Sequence, residues 1–217
     1  MKKRIGPDGI HFFDRTTGNN ILIDECLLPK SEWSLAPRQV SIALTNICDL
    51  HCKFCYAPKI KATLSFDYLK KWLKEIDQLG TLGVGFGGGE PTLYPKLNEL
   101  IDEINKIKGS TKTLILSNGS TIYKKDIFNT LLKIDIVKLS LDCVSEKCFK
   151  KLDRINSSVE TEKIVPAMID FSKQTKNNLV LEILFVKDLN DNELETTLLY
   201  EALIQINPKR VDIGTID

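Results

Sequence analysis

The chain has 217 residues, with 30 Lys and Arg against 29 Asp and Glu and a formal net charge of +1. That balance leaves no bulk electrostatic footprint for nucleic acid, and no apolar run is long enough to span a membrane. A hydrophobic share of 42% and a charged share of 27% are ordinary for one globular domain with a substantial core.

The basic start, Met1 to Arg4, runs into Gly6-Pro7-Asp8 instead of an apolar stretch, so no secretory signal is expected. Residues 1–38 read as a separate N-terminal extension. Ile10-His11-Phe12-Phe13 and Ile21-Leu22-Ile23 flank Thr16-Thr17-Gly18-Asn19-Asn20. Two apolar runs around a Gly/Asn turn predict a β-hairpin that covers an end of the main domain.

From residue 39 to 217 the chain alternates, with strands predicted at 40–45, 82–88, 112–118, 136–142, 179–186 and 210–216. Leu69, Trp72, Leu73, Ile76 and Leu79 keep helical spacing between a Ser65 cap and a Gly80 stop. Leu97, Leu100, Ile101, Ile104 and Ile107 repeat the pattern, with Gly109 as the stop. Ile127, Leu131 and Ile134 mark a third helix, and residues 160–175 a fourth in which Pro166 sets a kink or a late start. Leu194, Leu198, Ala202 and Ile206 mark a fifth, ended by Asn207-Pro208. Six strands alternating with five helices predict an α/β fold with a parallel sheet and right-handed crossovers. The chain ends at Asp217, directly after the sixth strand, so a truncated or minimal version of the fold is expected. Six cysteines without a leader read as metal ligands or free thiols in a reducing cytoplasm, not as a disulfide framework.

Three of those cysteines lie in Cys48-Asp49-Leu50-His51-Cys52-Lys53-Phe54-Cys55, spaced C-x3-C-x2-C with no fourth nearby. A [4Fe–4S] cluster has four iron corners, and thiolates usually fill them all. Three cysteines leave one corner open, the mark of a catalytic centre. A structural zinc site would need a fourth ligand, and His51, directly beside Cys52, does not fit that pattern. The preceding run, Val40 to Thr45, reads as a buried strand, so the loop sits at a strand's carboxyl end, where alternating barrels build active sites.

The C-x3-C-x-aromatic-C run, with Phe54 as the aromatic, together with Gly88-Gly89-Glu90-Pro91 after the second strand, resembles the radical SAM superfamily. The resemblance extends from about Val40 to the C-terminus. It implies an open partial (β/α)6 TIM-like barrel and a [4Fe–4S] cluster on Cys48, Cys52 and Cys55. It implies S-adenosyl-L-methionine on the fourth iron, cleaved to a 5′-deoxyadenosyl radical that takes hydrogen from a substrate. A reducing partner such as flavodoxin or ferredoxin goes with it. The substrate could be a peptide or protein side chain, a nucleotide or cofactor precursor, or a glycyl-radical enzyme awaiting activation. An iron–sulfur electron carrier or sensor without cofactor turnover is the reading from another class.

The remaining candidates concern that cofactor. Gly88 and Gly89 let backbone approach a ligand. By resemblance Glu90 accepts from the methionine ammonium; the alternative is an acid at a helix N-terminus. Alternation puts Ser140 and Asp142 on one face of the fourth strand. Polar groups there are costly unless they bind something, and ribose hydroxyls suit them, although Asp142 could instead cap a helix. Asn118 is either a cofactor contact or half of an Asn-Gly turn. Phe54 and Tyr56 flank Cys55 near the expected adenine, or simply pack the loop. Arg154 either pairs with the cofactor carboxylate or is solvated. Cys26, Cys143 and Cys148 match no ligand spacing and are expected to be reduced, mostly buried sulfur.

Overall fold

The computed structural model describes the chain except residues 15–18, 25, 27, 36, 59, 109, 110, 176, 177 and 217. Strands β1 (Lys2–Gly6), β2 (Gly9–Phe13) and β3 (Asn20–Ile23) form an antiparallel sheet in that order. The expected hairpin is β2–β3, with Ile10 opposite Ile23; its Thr16–Gly18 turn lies outside the described residues. β1 is an addition. Its Lys-Lys-Arg start carries too little apolar pattern to read as a strand, yet it pairs with β2 through the Pro7-Asp8 turn.

The second sheet has six strands, all parallel and laid side by side in sequence order. They are β4 (Gln39–Thr45), β5 (Gly83–Gly88), β6 (Lys112–Ser117), β7 (Ile136–Ser140), β8 (Leu179–Val186) and β9 (Arg210–Ile216). The helices between them are α1 (Phe66–Gln78), α2 (Leu97–Ile107), α3 (Lys125–Leu131), α4 (Glu146–Cys148), α5 (Ile164–Gln174) and α6 (Glu193–Ile206). Of the periodic positions, Leu69, Leu73, Leu100, Ile101 and Ile104 are buried with Phe86, Ile115 and Leu139 in the core, whereas Trp72, Leu79 and Leu194 are exposed. Pro166 occupies the first turn of α5, a late start rather than a kink. The Gly109 stop lies outside the described residues; α2 ends at Ile107, capped by Lys108.

Two short pieces fall below the length at which periodicity speaks. Pro91–Leu93 forms a single 3-10 turn, and α4 runs on into a π turn over Phe149–Asp153. That fold-back corrects one expectation. Cys143 and Cys148, read as free thiols, are joined by a disulfide, because α4 turns the chain back and brings their Cα atoms within 5.5 Å. Cys26 remains free.

Strand alternation sets two faces. Val137 and Leu139 of β7 are buried in the core, while Lys138 and Ser140 face the other way. On that other face Lys138 Nζ meets Glu182 Oε1 at 2.6 Å and Asp212 Oδ2 at 3.0 Å. The three-stranded sheet meets the amino-terminal ends of the six strands, away from the cysteine loop. Arg4 donates to Gly80 O at 3.3 Å, Arg38 pairs with Asp8, and Lys112 lies 5.6 Å over the Phe13 ring.

Candidate active site

The cysteine loop leaves β4 at Thr45 and is pinned before it reaches Cys48. Thr45 O accepts from Gly89 N, and Ile47 O accepts from Glu90 N, both at 2.7 Å. A Cβ on Gly88 would lie 2.5 Å from Thr45 O, and one on Gly89 would lie 2.4 Å from Ile47 O. These glycines are required by the approach of two loops, whatever ligand they also meet. The loop's far end closes at Ala62–Thr63, where Asn46 N donates to Ala62 O at 2.8 Å and the Thr45 and Thr63 hydroxyls sit 3.0 Å apart.

Four more contacts hold the loop from the side. Asp49 accepts from Asn118 Nδ2 at 3.1 Å and from Ser120 Oγ at 2.6 Å. His51 N donates to Asp153 O at 2.9 Å, and Lys53 N to Leu152 O at 3.4 Å. The loop therefore rests on the end of β6 and on the π turn after α4.

All three thiols are half-buried. Cys48 Sγ accepts from Leu50 N at 3.4 Å and from Asn118 Nδ2 at 3.6 Å. Cys52 Sγ donates to Asp153 Oδ1 at 3.5 Å. Burial pushes the Cys48 thiol up to about 11, against the pull of the Leu50 amide, with the charges of Asp49, Glu90 and Cys55 adding to it. Burial, then Asp153, pushes Cys52 up as well, with Cys48 and Cys55 contributing. Asp153, 4% exposed, is itself pushed up to about 6 by burial. Cys48 and Cys52 are both raised partly by their neighbours' negative charge, so a cation beside them would favour the thiolates. Their sulfurs do not all lie within 4.8 Å of one another; among the described residues only Cys143, Cys148 and Glu195 form such a three-donor group, and two of those are disulfide-bonded.

Glu90 is wholly buried. Its Oε1 accepts from Thr92 N at 2.9 Å, Thr92 Oγ1 at 2.5 Å and Ser117 Oγ at 2.8 Å, while Oε2 accepts from Asn118 N at 2.7 Å. Burial pushes this carboxyl up, and the four donors pull it back. The carboxylate thus ties the end of β5 to the end of β6.

Asp142, 8% exposed, accepts from Leu184 N of β8 at 2.7 Å through Oδ1. It caps no helix; Ser145 does that for α4 by accepting from Cys148 N at 3.1 Å. Burial pushes Asp142 up to about 7, with Asp153 and Glu182 adding to the shift. Ser140 sits half-buried at the end of β7, and Phe54 packs against the core. Tyr56 is fully exposed, and Arg154 is exposed in a left-handed conformation (φ 49°). Contacts therefore join Cys48, Glu90 and Asn118, Cys52 meets Asp153, and Tyr56 and Arg154 stand at the surface.

Sequence reasoning missed Asp49, Thr92, Ser117 and Asp153. Asp49 was visible inside the motif as a short acid beside Cys48. Asp153 had no signal, because it meets Cys52 from 101 residues away.

The chain belongs to the radical SAM superfamily, a superfamily of enzymes, whose profile matches residues 42–200. It is 43% identical over 129 residues to a UPF0026 protein of Helicobacter pylori (strain J99), covering 59% of this chain and 42% of that protein. It is 32% identical over 166 residues to the S-adenosylmethionine-dependent nucleotide dehydratase of Flammeovirga pacifica, covering 70% of this chain and 57% of that protein. These relatives are longer than the chain, which spans about half their length. Among solved structures, Streptococcus suis SuiB bound to S-adenosylmethionine shares the fold, with a TM-score of 0.76 and 17% identity over 99% of this chain and 62% of that one. No helix among the described residues is long and apolar enough to cross a membrane.

Proposed function

We propose that the chain holds a [4Fe–4S] cluster on Cys48, Cys52 and Cys55 and uses S-adenosyl-L-methionine to take a hydrogen atom from a substrate. The observation that carries this reading is a loop of three half-buried thiols, without a fourth, clamped at a strand's carboxyl end by Gly89 and Glu90. When bound, the cluster supplies the electron that cleaves the cofactor's sulfonium bond and yields the 5′-deoxyadenosyl radical. The protein's residues bind and orient. Asn118 aims its amide at Cys48 Sγ, and Asp49 fixes that amide in turn. Glu90 Oε2 takes one donor where Oε1 takes three, so it keeps a lone pair for the cofactor ammonium. Gly88 and Gly89 offer backbone on the same side. Asp142 spends Oδ1 on Leu184 N, leaving Oδ2, with Ser140, for ribose hydroxyls. Phe54 stands beside Cys55 for the adenine, while Tyr56 and Arg154 are exposed at the surface.

In this reading the six-stranded sheet is an open partial (β/α)6 barrel over residues 39–217, preceded by the extension of residues 1–38. Flavodoxin or ferredoxin is the reducing partner, in a cytoplasm that keeps the three thiols available. The substrate class stays among peptides, nucleotide or cofactor precursors and glycyl-radical enzymes. Anaerobic reconstitution with dithionite and S-adenosylmethionine tests the reading. Wild type should hold about four irons per chain and release 5′-deoxyadenosine, and Cys52→Ala should lose the cluster's visible absorption. Full iron in Cys52→Ala would overturn the ligand assignment. A loaded wild type that makes no 5′-deoxyadenosine would point instead to an electron carrier or sensor.

A further inference from the structure

At the opposite ends of the strands, a cavity of about 570 Å³ opens between the three-stranded sheet and the six-stranded one. This size is typical of small-ligand sites. Its lining is cationic: it includes Arg38, Lys112, Lys209 and Arg210 and, among the described residues, no Asp or Glu. Arg38 is paired with Asp8, and Arg210 with Asp212. Lys112 and Lys209 form no ion pair with any described residue; Lys112 leans only on the Phe13 ring.

A second, independent observation lies in the same wall. His11 of β2 is 4% exposed, and neither Nδ1 nor Nε2 has a hydrogen-bond partner among the described residues. Buried polar groups are almost always paired, and leaving one unpaired is costly. Burial, then the charge of Arg38, holds the ring below its ordinary value, so it stays neutral and keeps one N–H to donate.

The rest of the lining is of another character. Gly83 and Gly85 of β5 present no side chains there, and Leu114, Leu116 and Ile136 supply an apolar wall. A Cβ on Gly85 would already lie 3.4 Å from Leu114 Cδ2, so the glycine keeps the space open. The cavity thus combines a cationic, donor-rich lining with an apolar one.

We propose that this cavity binds a small organic phosphate, its charged head held by His11, Lys112 and Lys209 and its apolar body lying along Gly85, Leu114 and Leu116. The head gives His11 the acceptor it lacks and neutralises two unpaired ammonium groups. Enclosure favours a small molecule over a nucleic-acid backbone. The site needs neither the cysteine loop nor its cluster.

Phenyl phosphate is the probe, with phenol and inorganic phosphate as comparisons, titrated into wild type and into Cys52→Ala. The chain has two histidines, so the ring resonances of His11 and His51 can be followed separately by NMR. Phenyl phosphate should shift the His11 ring and raise its pKa while leaving His51 unmoved. It should bind alike in both proteins, more tightly than inorganic phosphate, and phenol should not displace it. Lys112→Met and Lys209→Met should each weaken binding about tenfold, as expected for one charge-assisted contact. Ser41→Asp, at an exposed lining position, should abolish binding by placing a carboxylate inside without disturbing the fold. An unmoved His11 at millimolar phenyl phosphate, equal binding of phenol, or undiminished binding in folded Lys112→Met and Lys209→Met would each overturn the assignment. Because Cys52→Ala is measured too, loss of the cluster and loss of this site give different results.

Discussion

Gly89→Ala tests how tightly the cysteine loop is seated. The new Cβ would lie 2.4 Å from Ile47 O, 2.7 Å from Asn46 C and 2.8 Å from Asn46 O, all backbone atoms. Real Cβ atoms essentially never come closer than 3.0 Å. The loop must therefore retreat by about 0.6 Å, stretching the 2.7 Å bond from Glu90 N to Ile47 O toward the edge of hydrogen bonding. Overpacking of this kind costs about 1–3 kcal/mol, which for a chain of this length lowers Tm by roughly 3–10 °C. Cys48 follows Ile47 directly, so cluster loading should fall with stability. Gly87→Ala supplies the control two residues away. Its Cβ would meet Leu116 Cδ1 at 3.7 Å and Leu116 Cβ at 3.9 Å, which is ordinary contact, and a strand glycine replaced by Ala gains about 0.5–1 kcal/mol. Thermal unfolding followed by circular dichroism, with iron content after reconstitution, reads both. Wild-type melting with full iron in Gly89→Ala, or an equal fall in Gly87→Ala, would refute a clash at position 89.

Glu90→Gln should destabilise by about 1–3 kcal/mol, because the amide NH₂ must face either the three donors at Oε1 or the Asn118 amide at Oε2; a variant with unchanged Tm would remove Glu90 as the tie between β5 and β6. Asp142 predicts a pH dependence: its folded value of about 7 stands above the ordinary 3.8, so the native state holds a proton that the unfolded chain gives up between them. The stability it contributes is present below about pH 4 and lost as pH rises toward 7. Asp142→Asn mimics the protonated acid, so its Tm advantage over wild type should grow from pH 4.5 to pH 7.5; parallel pH profiles would count against a buried, protonated Asp142.

Much of the parallel sheet was legible because each unit carries its own local signal. The runs at 179–186 and 210–216 are rich in β-branched and aliphatic residues and became β8 and β9 at those bounds. Leu97 through Ile107 keep a helical apolar period and became α2 at those bounds. β1 and the turn after Cys143 were not legible. The first is a polar strand held by its neighbour, the second a helix too short to show a period. The same shortness hid the disulfide, since only the fold-back places the two sulfurs together.

At the candidate site the division follows the range of the forces. Cys48, Cys52 and Cys55 are set by spacing within eight residues, and Gly88-Gly89-Glu90 by one tight turn, so both can be read along the chain. What those residues touch is decided by chain segments meeting from far away: Asp153 at Cys52, Ser117 and Asn118 at Glu90, and Thr45 and Ile47 against the glycines. The sequence by itself determined which atoms could ligate a metal and which strand end would carry them, because spacing and alternation are local properties. Only the tertiary structure decided that Glu90 ties two strands together, that Asp142 is held against β8, and that His11 faces a cationic cavity. Burial and hydrogen-bond geometry depend on packing between segments, and no single segment carries that information.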